Sequence, residues 1–425
     1  MPLYLGCFFV ALLIRIGLVI LTPSLNNMID LQIYREAGQL ITHGVNPYDF
    51  SDKLEIRNQL KNNTENHNEF VNSSQVQWNN YTSANLPLAT LFFGAIEYAF
   101  GSNRSFRLTF AFFDSILSVL IIVIILNKWN YRSSIFFFRN NLTIKQREYF
   151  LPLVALTLGA FSPILLLWGT FYPEHKGIGL LLILSAIYFS DSYNRNARMI
   201  LSPILLAFSV AFIGLGIFVA PLCLFNTYKK GNFKQILIYC IISFVTCILI
   251  LLPFMPGLLN MMISRLGLAP NAEKIPLHGS MWVLIYKAFP GYWLVIKNSF
   301  LVLFISINVI GFFRKKLNVF VVSASLLYLF TNIYLINGSL DRMNIALLTL
   351  IILLGYSKYV VFSIRLTMFY IFFGLFAFIG NASSLWSETY DGFFMLIVTI
   401  IYFIFLLTQT IKPQKESFQK YSAYL

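Results

Sequence analysis

Residues 106–126 have the sequence FRLTFAFFDSILSVLIIVIIL, 21 residues of which only Arg107 and Asp114 carry a charge. An apolar helix of about 20 residues is long enough to cross the hydrocarbon core of a bilayer. Similar apolar runs occupy residues 3–22, 151–169, 177–190, 200–226, 235–255, 299–313, 318–336, 343–357, 363–380 and 391–411. The sequence therefore predicts an all-α integral membrane protein, a polytopic bundle of about 11 to 13 transmembrane helices that forms one membrane domain over residues 1–425.

The overall composition agrees with that prediction. Hydrophobic residues make up 58% of the chain and charged residues 11%, whereas soluble domains contain about 25% charged residues. A soluble domain of any size is therefore excluded. The glycine-rich phosphate loop of ATP-driven pumps, GxxxxGK[ST], is also missing from the sequence.

The net charge of +14 is distributed unevenly along the chain. Alternate loops carry 18 basic and three acidic residues, and these loops are 127–150, 191–199, 227–234, 314–317, 358–365 and 412–425. Such an excess is typical of cytoplasmic loops. The charge therefore indicates orientation rather than nucleic-acid binding. It predicts a multi-pass protein of the inner (plasma) membrane, with both termini in the cytoplasm and the opposite face external.

This orientation constrains two apolar segments. Both ends of 200–226 must be cytoplasmic, which predicts two short helices that turn near Gly214 and Gly216 as a half-crossing hairpin. Residues 85–100 are predicted to form an amphipathic helix on the outer membrane surface, because a full crossing there would invert the basic loop that follows. The first external loop is then 23–105, with interfacial helices and a polar flap at 51–80, and a second large external loop is 256–298.

The first external loop contains a notable acidic residue. It begins NNMIDLQIYREAGQLITHGVNPYDF at residues 26–50. In a helix that starts near Asp30, positions 30, 34 and 37 share one face, so we expect Asp30 and Tyr34 to point the same way. Asp30 could equally be a loop carboxylate that caps the following helix.

These residues carry a family resemblance. Asp30, Tyr34, Ala37, Gly44, Pro47 and Tyr48, followed by Tyr81, Pro87 and Leu88, resemble the first luminal loop of the C superfamily of membrane glycosyltransferases (GT-C fold). The pattern is most similar to glycosyltransferase family 87, the polyprenol-phosphate-mannose-dependent mannosyltransferases. SPILLLWGTFYPEHKGIGLLLILSAIYF, at 162–189, is similar to a helix pair of that family, although Tyr172-Pro173-Glu174-His175 stands where relatives often have G-Q-x-D.

The resemblance implies transfer of a hexose, most simply mannose, from a polyprenyl-phosphate-linked sugar donor to a lipid-linked or glycan acceptor on the external face. Asp30 would be the catalytic base of an inverting displacement, because one carboxylate must take the proton from the acceptor hydroxyl. The resemblance implies no metal and no other cofactor. Membrane lipids are the remaining expected partner, and nucleic acid is not one.

Nine further residues are candidates for substrate binding: Tyr34, Arg35, Tyr48, Tyr81, Glu174, His175, Lys176, His278 and Arg342. A cation is needed near the lipid phosphate that leaves, and His278 and Arg342 are candidates for it. Glu174 could bind the acceptor sugar and His175 a phosphate, whereas the tyrosines could stack on sugar rings or belong to the interfacial aromatic belt. Arg342 could instead pair with Asp341. Asp114 is expected to be a buried anchor that pairs with Arg15.

Two other classes of function fit the number of predicted helices. A secondary transporter or lipid flippase should place its charged residues near the middle of the membrane, but here they concentrate in an external loop and at helix ends. An envelope polysaccharide polymerase or ligase would rely on external arginine and histidine, whereas the notable residue here is an aspartate.

Overall fold

The structure is a computed structural model, and it describes residues 2–27, 29–48, 85–136, 156, 159–171, 173–255, 257–265, 281–314, 317–334, 369, 372–377, 379–380 and 388–411. All regular elements in this described part of the chain are helical, as the sequence predicts. Five helices in it are long and apolar enough to cross a membrane: Tyr4–Leu21, Asn103–Leu126, Phe233–Phe254, Trp293–Phe313 and Gly392–Ile411. The count of 11 to 13 crossings stays a prediction, because the runs at 343–357 and 363–380 lie largely outside the described residues.

The chain divides into two compact units. The first, residues 1–274 with 340–386, contains α1 (Pro2–Leu21), α2 (Ile29–Thr42), α3 (Pro87–Phe100), α4 (Asn103–Phe136), α5 (Lys176–Ser190), α6 (Ser202–Ile213), α7 (Ala220–Lys229), α8 (Phe233–Leu251) and α9 (Gly257–Arg265). Short 3-10 helices at Pro23–Asn27, Leu215–Val219 and Leu252–Phe254 and π-helical turns at Leu166–Phe171 and Ala197–Leu201 connect them.

The second unit, residues 275–339 with 387–425, contains α10 (Met281–Ala288), α11 (Trp293–Phe313), α12 (Val319–Tyr328) with a π-helical end at Leu329–Tyr334, and α13 (Glu388–Ile411). Buried hydroxyl pairs join α12 to α13. Tyr328 lies 3.0 Å from Thr399, and Ser325 lies 3.0 Å from Tyr402, oxygen to oxygen. Such pairs satisfy polar groups inside an apolar bundle.

One predicted boundary differs from the structure. The predicted apolar run 106–126 lies within α4, but α4 continues ten residues further, to Phe136. The helix therefore includes Lys128 and Arg132, which hydropathy placed in a loop. An α-helix of 34 residues is about 51 Å long, so α4 is longer than the hydrocarbon core.

The predicted pair of short helices in 200–226 is present. α6 ends at Gly214, whose φ of +76° is a left-handed conformation that glycine adopts at little cost. α6 packs against its neighbour α5. Ser202 donates to the Ala186 carbonyl near one end of α5, and Phe212 contacts His175 beside the other end. α6 therefore lies beside much of α5, and the half-crossing of the membrane by this hairpin stays a prediction.

The two ends of this hairpin meet at the basic end of α5. The Lys230 ammonium lies 2.8 Å from the Asp191 carboxylate and 4.1 Å from the centre of the Tyr193 ring. The basic turns at 191–199 and 227–234, which the charge pattern assigned to one side, therefore lie next to each other in the first unit.

α2 and α3 approach closely because two glycines lie where they meet. A methyl group at Gly38 would come within 2.7 Å of the Phe93 carbonyl oxygen, and one at Gly94 would meet the Ile41 side chain. Small residues at these positions allow the helix backbones to touch. The predicted amphipathic segment 85–100 is thus a helix whose buried face, which includes Phe93 and Ile96, packs on α2.

We expect Gly38→Ala to destabilise the protein, because the added methyl would have to push α2 away from a backbone carbonyl. Overpacking of this kind costs about 1–3 kcal/mol. Thermal unfolding of the purified protein in detergent measures the effect. Gly17→Ala in α1 is the matched control, since a methyl there meets nothing within 4 Å and alanine favours the helix by up to about 1 kcal/mol. Equal melting temperatures for the two variants would contradict the prediction.

Candidate functional site

Buried Arg107 bonds to the segment after α1 and to the segment before α5, at one end of the first unit. Its guanidinium donates to the Thr22 carbonyl and hydroxyl at 2.7 Å each, to the Asn26 side chain at 2.8 Å and to the Thr170 carbonyl at 3.5 Å. Asn103 also donates to the Asn26 carbonyl at 2.8 Å. The end of α1, the start of α4 and the segment before α5 therefore meet, and α2 begins beside them.

Asp30 and Tyr34 lie on one face of α2, one turn apart, as predicted. Asp30 is in the first turn, where a negative charge interacts favourably with the helix dipole. Tyr34 is 4% exposed, and its ring stacks on Phe93 with 4.7 Å between centroids. The Tyr34 hydroxyl donates to Glu174 Oε2 at 3.0 Å. This bond joins α2 to the link before α5, 140 residues later.

The Lys176 ammonium lies 3.6 Å from the same oxygen of Glu174. Glu174 also experiences the negative charge of Asp30, and Asp30 the positive charge of Lys176. Asp30, Tyr34, Glu174 and Lys176 therefore form one charged cluster, which we call the carboxylate cluster.

Burial is the main influence on proton affinity in the carboxylate cluster. It raises the pKa of Asp30 above its ordinary value, and the nearby Lys176 ammonium partly offsets that rise. Burial also raises the pKa of Glu174, which Lys176 lowers and Asp30 raises further. The pKa of the Tyr34 hydroxyl is raised well above its usual value by burial and then by the charges of Glu174 and Asp30. Tyr34 is consequently a neutral hydrogen-bond donor.

His175 lies among aromatic rings. Its imidazole is 6% exposed and contacts Tyr34 at 5.0 Å, Phe93 at 5.4 Å and Phe212 at 5.8 Å between centroids. It therefore forms part of the apolar support under the carboxylate cluster.

Arg35 is not brought into the carboxylate cluster. Its guanidinium makes a two-pronged ion pair with Glu97, at 3.1 and 3.2 Å, and donates to Asn103 and to the Gly101 carbonyl. Gln39 also donates to Glu97. Arg35 thus joins α2 to α3 and to the start of α4, and its predicted contact with substrate stays a prediction without support from this geometry.

Tyr48 also lies apart from the carboxylate cluster. It is 1% exposed, its hydroxyl donates to the Asn85 carbonyl at 2.5 Å and lies 3.0 Å from the Thr90 hydroxyl, and its ring packs on Phe254. The buried hydroxyl is therefore already bonded within the protein. The other predicted site residues, Tyr81, His278 and Arg342, lie outside the described residues.

Sequence reasoning missed three residues that shape this region. Phe93 of α3 stacks on Tyr34 and Phe212 of α6 contacts His175, but single phenylalanines give no signal among 43. Arg107 did give a signal, since it is a charge inside an apolar run. Among the described residues, no group of three or more His, Cys, Asp or Glu could hold a metal ion. The cluster instead pairs two carboxylates with one ammonium, which suits proton transfer and the binding of hydroxyl groups.

Comparisons of this chain with protein-family models, with curated proteins and with solved structures found no match. Its function therefore has to be argued from the chemistry of the carboxylate cluster.

Proposed function

We propose that this protein is a membrane glycosyltransferase. It transfers a hexose, with mannose the first candidate, from a polyprenyl-phosphate sugar to a lipid-linked or glycan acceptor at the external face of the membrane. The observation that carries the proposal is the carboxylate cluster, in which two carboxylates and an ammonium meet beside the end of the apolar helix α1. In the predicted topology this end of α1 is at the external membrane surface, where a lipid-borne phosphate would be held.

Asp30 is the general base in this proposal. As the acceptor oxygen attacks the anomeric carbon, its proton passes to the Asp30 carboxylate, the bond from that carbon to the phosphate oxygen breaks, and the configuration inverts. A base works best when its pKa approaches the working pH. Burial raises the pKa of Asp30 toward that range, and the charge of Lys176 favours the ionised form.

Glu174 binds the acceptor sugar in this proposal. Its Oε2 atom accepts from the Tyr34 hydroxyl at 3.0 Å and pairs with Lys176 at 3.6 Å. These contacts hold the carboxylate in place through one oxygen, and in this proposal the other oxygen, Oε1, accepts from a sugar hydroxyl. Hydrogen bonds to an ionised carboxylate are stronger than neutral ones, and this supports a role in orienting the acceptor beside Asp30.

Lys176 supplies positive charge near the leaving group. The phosphate gains negative charge as the sugar departs, and a fixed cation stabilises that charge more in the transition state than in the ground state. Lys176 is also the first residue of α5, and the positive end of a helix dipole favours an anion at this position.

An ion-coupled transporter is the second candidate, because Arg15 and Asp114 are almost fully buried inside apolar helices. Intramembrane charges of this kind often mark ion pathways. However, the Arg15 guanidinium donates to the carbonyls of Ala11 and Ala160 and to the Ser118 hydroxyl. These contacts favour a structural role for Arg15.

The test is direct transfer by the purified protein reconstituted in liposomes. A panel of polyprenyl-phosphate hexoses with radiolabelled sugar is incubated with lipid-linked and glycan acceptors, and labelled product is separated by chromatography. We expect one donor to be consumed with formation of labelled product. If no donor is consumed, the proposal fails. Concentration of label inside the liposomes without a new glycosidic bond would favour the transporter.

We expect Lys176→Met to move the acid limb of the pH–rate profile to higher pH. Removal of the ammonium removes the influence that lowers the pKa of Asp30. The carboxylate then takes up a proton at higher pH, so kcat/KM falls earlier as the pH is lowered. Measurement of kcat/KM from acid to neutral pH checks this. Lys176→Arg retains the charge and should leave the limb in place, whereas a shift toward lower pH in Lys176→Met would contradict the assignment of the base.

A further inference from the structure

Asp114 lies against both ends of the link that carries Glu174 and Lys176. A Cβ atom at Gly169, before the link, would collide with Asp114 Oδ2, and one at Gly177, after it, would collide with Oδ1. The two oxygens of one carboxylate therefore contact the backbone on either side of residues 170–176. No other residue type could occupy these two positions without displacing the carboxylate.

The Asp114 side chain is itself fixed from the opposite direction. It is 1% exposed and interacts with the positive charge of fully buried Arg15 in α1. Arg15 donates to the Ser118 hydroxyl at 2.8 Å, and that hydroxyl donates to the Asp114 carbonyl at 2.8 Å. Burial of an ionisable group inside an apolar bundle costs free energy, and such groups are usually paired and functionally important.

The carboxylate also lies where α5 needs a cap. The first amides of a helix have no partner within the helix, and His175, at the capping position, makes no side-chain cap bond. A carboxylate against Gly177 places negative charge at the positive end of α5. On the other side, Asp114 Oδ2 has no hydrogen-bond partner among the described residues, so its contact with Gly169 is steric.

We propose that Asp114 is a positioning residue whose carboxylate fixes the link 170–176 at both ends and so sets Glu174 and Lys176 against Tyr34 and Asp30. The structural part of this inference stands on the contacts alone, and only its effect on turnover rests on the proposed glycosyltransferase function. Displacement of a reacting or catalytic group by about 1 Å can reduce turnover about 100-fold. The link is therefore a sensitive place for a small change in packing.

The first experiment needs no activity. Hydrogen–deuterium exchange with mass spectrometry on the full-length protein in detergent follows the amides of residues 174–180 in wild type, Asp114→Asn and Gly177→Ala. We expect exchange in that segment to rise about tenfold or more in both variants, while amides of α8 keep their wild-type rates. Gly17→Ala is the control and should exchange as wild type does. Unchanged exchange at 174–180 in both variants, or equally faster exchange in all helices, overturns the proposal.

The second experiment separates positioning from general stability, using the pH–rate profile of transfer. Within the described ranges, Tyr34, Glu174 and Lys176 are the titratable groups that interact with Asp30. If Asp114 acts through the link, Asp114→Asn moves Lys176 away from Asp30 and shifts the acid limb to higher pH, as Lys176→Met does. In a Lys176→Met background no ammonium remains to be displaced, and movement of the like-charged Glu174 away from Asp30 cannot shift the limb to higher pH, so Asp114→Asn should add no further shift in that direction. Equal shifts in both backgrounds overturn the proposal, and a wild type that transfers no sugar refutes the proposed function but leaves the exchange result standing.

Discussion

Replacement of Asp30 by asparagine is expected to reduce the turnover of sugar transfer by about 100- to 10,000-fold, the range that a general base contributes. The amide has nearly the same size but cannot accept the proton from the acceptor hydroxyl. Asp30 lies in the first turn of α2, where the backbone N–H groups have no partner within the helix. An asparagine side chain can still accept hydrogen bonds from such groups, so the fold should persist. Labelled transfer at saturating donor measures the effect, alongside donor binding to the same preparation.

Glu36→Gln is the matched control for this experiment. Glu36 is an acid on the same helix, but it is not on the face that positions 30, 34 and 37 share. Its removal should leave turnover within a few-fold of wild type. If Asp30→Asn and wild type turn over equally, the base is another group, and Glu174 becomes the first one to test.

Replacement of Arg107 by leucine is expected to cost about 3 kcal/mol or more of stability. The buried guanidinium donates four hydrogen bonds, to Thr22 twice, to Asn26 and to Thr170. Hydrogen bonds from charged groups contribute about 1.5–3 kcal/mol each, and the half-buried Thr22 and Asn26 and the buried Thr170 carbonyl would lose these partners. The end of α1, the start of α4 and the segment before α5 would then no longer be held together beside the carboxylate cluster. Thermal unfolding in detergent measures the loss. The melting temperature of Arg107→Lys should lie between those of wild type and Arg107→Leu, because an ammonium has fewer donors than a guanidinium.

Arg104→Leu provides the control for Arg107→Leu. Arg104 lies one turn earlier in α4 and is exposed, so its removal should change the melting temperature little. Equal losses for the two variants would mean that lost positive charge at the start of α4, and not the hydrogen bonds of Arg107, is responsible.

The helices were the most predictable feature, because a chain that crosses lipid must form its backbone hydrogen bonds within each segment. Charge distribution even predicted the break near Gly214, because both ends of the hairpin had to lie on one side. Helix ends were less predictable. α4 extends past its apolar run to Phe136, where hydropathy falls but the backbone continues.

The site was predictable only in part. Helical periodicity placed Asp30 and Tyr34 on one face, but it cannot pair Tyr34 with a glutamate 140 residues later, since that contact depends on packing. Residue type was also a poor guide to partners. Arg35 and Tyr48 have the chemistry to bind a sugar phosphate, yet they bond to Glu97 and Asn85. Gly169 and Gly177 gave no signal at all, because their role is to leave space for Asp114.

The hydrogen bond from Tyr48 to the Asn85 carbonyl bears on which changes of sequence the protein can tolerate during evolution. It holds Tyr48 next to Asn85, the two described residues that flank positions 49–84. The entropic cost of closing a loop grows only slowly with its length, by about 0.6 kcal/mol per doubling. An insertion or deletion between these points is therefore expected to change the attachment of α2 to α3 little, provided that Tyr81, a candidate substrate-binding residue, is retained.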